Sequence, residues 1–122
     1  MKLSVILATL TLSLASLGTY AAPSIDGEYT GDTWGYMTVK KNADESYAIS
    51  LTIAAGSCTG STLAKGDFKI RADNSFLVPN NKKKSCQIKI AFDNKQGASI
   101  TDSCGPDAPN SPCAFQGSYS KR

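Results

Sequence analysis

The sequence predicts an all-β domain: a small antiparallel eight-stranded meander, closed or partly closed into a barrel and stapled by two disulfides. Three observations predict it. After residue 22 apolar and polar residues alternate, the period of a half-buried strand. Turn-forming residues interrupt the alternation at short intervals, as in all-β meanders. Four cysteines lie in a chain that opens with an export signal, and an even count in a small exported domain reads as two cross-links.

The first element is the leader. Lys2 precedes an apolar run from Leu3 to Leu17, followed by Gly18 and Thr19-Tyr20-Ala21, the order of a secretory signal peptide. Cleavage after Ala21 sets Thr19 and Ala21 at the two small-residue positions, whereas cleavage after Ala22 would set bulky Tyr20 at one of them. The run is about 15 residues, shorter than the roughly 20 of a spanning helix. Residues 1–21 are therefore expected to be removed, with no stable membrane insertion. The first cysteine is Cys58, so no lipid-modified cysteine is expected at the cut. Residues 22–122 form one domain, exported to the periplasm or secreted, with a modest core that gains from cross-linking.

Strands follow in order. Ile25–Thr30 is the first candidate and Tyr36–Lys40 the second, with Met37 and Val39 on one face. The clearest is Tyr47–Ile53, where Tyr47, Ile49, Leu51 and Ile53 alternate with Ala48, Ser50 and Thr52. Thr62–Ile70, with a possible break at Gly66, Ser75–Val78, Gln87–Phe92, Ala98–Asp102 and Ala114–Ser120 complete the set. Gly31-Asp32, Asn42-Ala43-Asp44, Asp73-Asn74 and Asn94–Gly97 supply turns between them. The expected core is Tyr47, Ile49, Leu51, Ile53, Ile88, Ile90, Phe92, Ile100 and Phe115. Gly27-Glu28-Tyr29 in the first strand and Gly117-Ser118-Tyr119 in the last suggest that these two strands lie side by side where the sheet closes, hiding two edges.

The cysteines fit this plan. If the hairpin between residues 86 and 104 turns around residue 95, Phe92 faces Ala98 and Cys86 faces Cys104, a spacing that suits a disulfide. That leaves Cys58 for Cys113. All four fall at one end of an alternating meander, so Cys58–Cys86 with Cys104–Cys113 stays open. A zinc site is not expected, because there is no close Cys pair and no histidine.

Composition narrows function. Of the 13 basic and 10 acidic residues only Lys2 lies in the leader, so the mature chain carries a net charge of +2. That is too mild to imply nucleic acid. The absence of histidine removes the commonest general base and metal ligand. No nucleophile elbow, phosphate loop or zinc-protease helix occurs, and no cofactor, metal or catalytic residue is assigned. Paired carboxylates would be the one route to catalysis, from Asp26, Glu28, Asp32, Asp102 and Asp107; Asp26 and Glu28, two apart, read more simply as a solvated strand edge. Three features offer binding chemistry instead. Lys82-Lys83-Lys84, after Asn80-Asn81, forms a cationic loop near Cys86, suited to an acidic surface or to solubility alone. Trp34 and Tyr36 follow the first turn, where aromatics stack on sugars, anchor an interface or plug a barrel end. Cys104 to Cys113 encloses three prolines, which stiffen that loop.

The segments Gly27–Gly31, Cys58-Thr59-Gly60, Cys86–Phe92 and Cys113–Tyr119 resemble those of a loose group of small exported bacterial β proteins with four cysteines, mostly uncharacterised. In general plan the chain is similar to periplasmic lysozyme inhibitors: exported, disulfide-linked, eight-stranded barrels. That family's inhibitor motif is not recognisable here, and fold alone does not carry function. The expected function is that of a non-enzymatic binding protein for an extracytoplasmic partner, with a cell-wall hydrolase such as lysozyme as one candidate. No functional residue is carried over from the inhibitor family; Lys82, Lys83, Lys84, Trp34 and Tyr36 are the expected contacts on their own chemistry. A secreted toxin or carboxylate-dependent hydrolase would need two acidic side chains converging in a cleft; a structural envelope protein would need no pocket.

Overall fold

The structure is a computed structural model and describes residues 24–54, 58, 60–108 and 111–122. The signal peptide expected over residues 1–21 lies outside the described residues. Eight strands run β1 (Gly27–Gly31), β2 (Gly35–Lys41), β3 (Tyr47–Ile53), β4 (Thr62–Phe68), β5 (Ser75–Pro79), β6 (Gln87–Phe92), β7 (Gly97–Asp102) and β8 (Gly117–Lys121). They form one antiparallel sheet in the order β4-β3-β2-β1-β8-β7-β6-β5. Chain neighbours pair throughout except at β4 and β5, where a seam replaces a ladder. The Asn81 N–H bridges that seam to the Leu63 carbonyl at 2.7 Å. The fold is thus a nearly closed eight-stranded meander barrel, closed through β1 and β8 as the sequence predicts.

The alternation decides which side chains enter the barrel. Met37, Val39, Ile49, Leu51, Ile53, Phe76, Val78, Ile88, Ile90 and Ile100 are buried on inward faces, where each apolar side chain contributes about 1.5–3 kcal/mol. Phe76 and Phe92 meet edge-on at 5.9 Å, and Tyr29 meets Phe92 at 5.8 Å, the aromatic geometry that the ring quadrupole favours. Tyr47, expected in the core, is only partly buried. It sits at the start of β3 and packs its ring edge-on to Phe76 at 5.6 Å, covering the core rather than entering it. The expected break at Gly66 is absent: β4 runs through it, and the irregularity falls at a register shift between Leu51 and Thr52.

The first and last strands begin later than their composition suggests, for a shared reason. Before β1 and before β8 stands the same arrangement: an apolar residue, one polar residue, then Gly-x-Tyr. The Tyr29 hydroxyl donates to the Ile25 carbonyl at 2.7 Å, and the Tyr119 hydroxyl donates to the Phe115 carbonyl at 2.5 Å. Gly27 and Gly117 turn the chain at φ +148° and +133°, which an L side chain rarely adopts. The intervening polar residues act alike: Asp26 accepts from the Lys41 N–H at the end of β2, and Gln116 accepts from the Asp102 N–H at the end of β7. Two tyrosine corners therefore pin the two central strands at opposite ends of the barrel. The two Gly-x-Tyr motifs are staggered rather than abreast, since Tyr29 faces Lys121 and Tyr119 faces Gly31.

Candidate functional site

Alternation of strand direction sends the β1–β2, β3–β4, β5–β6 and β7–β8 connections to one end of the barrel, and the cysteines lie in them. Cys58 joins Cys113 and Cys86 joins Cys104, with Cα separations of 5.3 and 5.6 Å. The second bridge extends the β6–β7 ladder, in which Phe92 faces Ala98, Ile90 faces Ile100 and Ile88 faces Asp102. This is the register read from the sequence. Asp102 lies against Cys86 and Cys104, but both sulfurs are engaged with each other in the disulfide and offer a metal no thiolate.

The lysine loop is built on Asn80, which is only 5% exposed. Its side-chain oxygen accepts the N–H groups of Lys82 at 2.8 Å and Lys83 at 3.2 Å, while its amide nitrogen donates to Asp102 at 2.8 Å. The Asn80 N–H reaches the Cys86 carbonyl at 3.0 Å, and the Cys86 N–H reaches the Lys83 carbonyl at 2.9 Å. The backbone of residues 80–86 is thereby held on both sides, by β7 and by a disulfide. Lys82, Lys83 and Lys84 are all exposed, and none takes part in an ion pair among the described residues. Asn80 was legible only as a flank of the charge run. The available signal was an asparagine directly after a strand, a residue that folds turns through its side chain.

Trp34 is 44% exposed and does not plug the barrel. Its carbonyl accepts the Ala54 N–H at 2.7 Å, and the Thr33 hydroxyl donates to the Ala114 carbonyl at 3.4 Å, so the β1–β2 loop is tied to both neighbouring loops. Tyr36 is not brought beside it in one pocket: it stands half-buried on the outer face of β2, where its hydroxyl donates to Glu28. That bond is the main cause raising the Tyr36 pKa. Glu28 also lies 3.7 Å from Arg122, and Asp26 accepts both the Ser24 hydroxyl and the Lys41 N–H. Asp26, just before β1, and Glu28, within it, are each occupied by local partners.

Asp107 organises the long loop before β8. One of its oxygens accepts the N–H groups of Phe115 and Gln116, at 3.0 and 2.8 Å, and Gln116 donates to the Gly105 carbonyl at 2.8 Å. Asp107 and Asp32 line one cleft with Trp34, the convergence of two acidic side chains that a carboxylate-dependent hydrolase would need, although both Asp107 oxygens already accept from Phe115 and Gln116. Beneath them the Tyr119 hydroxyl is pushed far above the ordinary phenol range, first by burial and then by these two carboxylates. Among the described residues no helix is long and apolar enough to cross a membrane. No protein-family model, curated protein or solved structure matches the chain, and nothing ties this small disulfide-linked barrel to a particular inhibitor family.

Proposed function

We propose that the chain is an exported, non-enzymatic binding protein that docks an extracytoplasmic protein through its cross-linked loop end, and that a cell-wall hydrolase such as lysozyme is the target. The observation that carries this reading is the lysine loop: three exposed cations on a backbone fixed by Asn80 and Cys86. A loop already held in shape loses less conformational entropy on binding. Muramidase clefts are built around carboxylates, which a protruding lysine complements. The filled barrel interior leaves the rim as the place for recognition. Two disulfides suit an oxidising compartment.

The test is inhibition of muramidases by the wild-type protein and by the Lys82→Ser/Lys83→Ser/Lys84→Ser variant, at low and high salt. The triple variant should fold normally, since exposed charges contribute little to stability, yet inhibit more weakly and with less salt dependence. Absence of inhibition by the wild type removes the hydrolase reading. Inhibition unchanged by the triple substitution removes this loop as the contact.

A further inference from the structure

The geometry points to a second recognition site, independent of the lysine loop: the open cleft beside Trp34 binds a neutral oligosaccharide. The cleft has a volume of about 770 Å³. Trp34, with Asp32, borders it from the β1–β2 loop, and Pro106 and Asp107 border it from the long loop before β8. Both borders are fixed, the first by the Trp34 carbonyl and Thr33 hydroxyl bonds and the second by the Asp107–Gln116 frame. Gly117 makes the space between them: a Cβ there would stand 2.7 Å from an Asp32 oxygen.

The lining chooses the ligand. No lysine or arginine reaches the cleft among the described residues, although basic residues outnumber acidic ones in the chain. With Asp32 and Asp107 on its borders the cleft repels anions at any separation within a Debye length. The Gln116 amide is taken up by Gly105, Asp107 and Asp102, so the remaining polar groups of the lining are hydroxyls, which donate to and accept from neutral hydroxyls. An exposed indole held at the border supplies a flat apolar face. A sugar ring presents an apolar C–H face to such an indole and, at its edge, hydroxyls that donate to carboxylates. The open form of the site accommodates a chain of such rings rather than one enclosed molecule.

Trp34 is the only tryptophan, so its fluorescence reports on this cleft alone. The oxidised protein is titrated with soluble tetrasaccharides of β-1,4-linked glucose, β-1,4-linked N-acetylglucosamine and α-1,4-linked glucose, and in parallel with tetra-arginine. At least one sugar should shift the emission saturably, with an affinity in the millimolar range or tighter. By calorimetry Trp34→Ala should weaken that sugar about tenfold, Trp34→Phe should recover most of the loss, and Asp32→Asn should weaken it several-fold. The proposal is overturned if no sugar gives a saturable shift up to about 10 mM, above the range of weak single-site ligands. It is equally overturned if Trp34→Ala, shown by its melting curve to be folded, binds as the wild type does, or if only tetra-arginine binds. Should Trp34→Ala fail to fold, unchanged sugar affinity in Asp32→Asn overturns the assignment of the cleft.

Discussion

The Tyr119 hydroxyl occupies the space beside Gly35 so closely that a Cβ on Gly35 would stand 1.5 Å from it. The ring cannot swing aside, because it is buried and its hydroxyl donates to the Phe115 carbonyl. Gly35 is therefore required by the tyrosine corner of β8, across two strand boundaries. Gly35→Ala should destabilise by about 3 kcal/mol or more through overpacking. Tyr119→Phe alone should cost about 1–2 kcal/mol by leaving that carbonyl unpaired. In the double variant the two losses should fall short of additive, a coupling that a double-mutant cycle in denaturant measures.

The core strands make a second prediction. Leu51 and Ile90 are fully buried, so Leu51→Ala and Ile90→Ala should each destabilise by about 2–5 kcal/mol through lost burial and a residual cavity. Tyr47→Ala should cost less, because Tyr47 only covers the core. Thermal or urea unfolding of the three variants checks the ranking.

The cross-links predict a connectivity and an order. Non-reducing peptide mapping should recover Cys58 with Cys113 and Cys86 with Cys104. Their sequence separations are 55 and 18, for which chain entropy gives losses of about 4 and 3 kcal/mol on removal. Replacing each pair by serine and measuring melting temperatures tests the order. A Cys58–Cys86 peptide would refute the pairing.

Asn80 should matter more than its neighbours. Asn80→Ala removes both acceptor bonds to the lysine loop and the bond to Asp102, and should cost about 1–3 kcal/mol. Amide hydrogen exchange should accelerate at Lys82 and Lys83, while substitution of Lys82 itself leaves stability unchanged.

The opposite end of the barrel predicts an acid response. Three turns there use one device. The Asp44 carboxyl is held below its ordinary 3.8 by the Ser46 hydroxyl, Asp73 below 3.8 by the Ser75 hydroxyl, and Asp93 below 3.8 by the Lys95 and Gly97 N–H groups. A carboxyl whose folded pKa is lowered stabilises the fold above its unfolded pKa. That contribution is lost as the pH falls below about 3.8 and through the folded values. The melting temperature should therefore be flat from above this range to neutral pH and decline beneath it. Combining Asp44→Asn, Asp73→Asn and Asp93→Asn should flatten the decline.

Much of the fold is legible because strand alternation is a local signal. Ile49, Leu51 and Ile53, or Ile88, Ile90 and Phe92, announce both a strand and its inward face, and the symmetric placing of Cys86 and Cys104 about residue 95 agrees with the observed hairpin register. Ile25–Asp26 and Ala114–Gln116 mislead, because the same alternation continues through a tyrosine corner that has left the ladder. The contacts at the loop end are less legible. Asp32 and Asp107 come together only after β1 pairs with β8, and Asn80 acquires its role only once Asp102 arrives from β7. The close approach of Tyr119 to Gly35 likewise has no signal in the pattern around residue 35.

Recognition of a hydrolase by the cross-linked loop end would mark that end residue by residue. The most direct measurement is the backbone amide spectrum of the ¹⁵N-labelled, oxidised protein as a muramidase is added at low salt. Shifts or broadening should be confined to residues 31–35, 80–86 and 103–116, strongest across Lys82–Lys84 and reduced at high salt. Changes concentrated instead at residues 42–46, 69–74 and 93–96, or a spectrum that does not change at all, would rule out recognition of the hydrolase by the loop end.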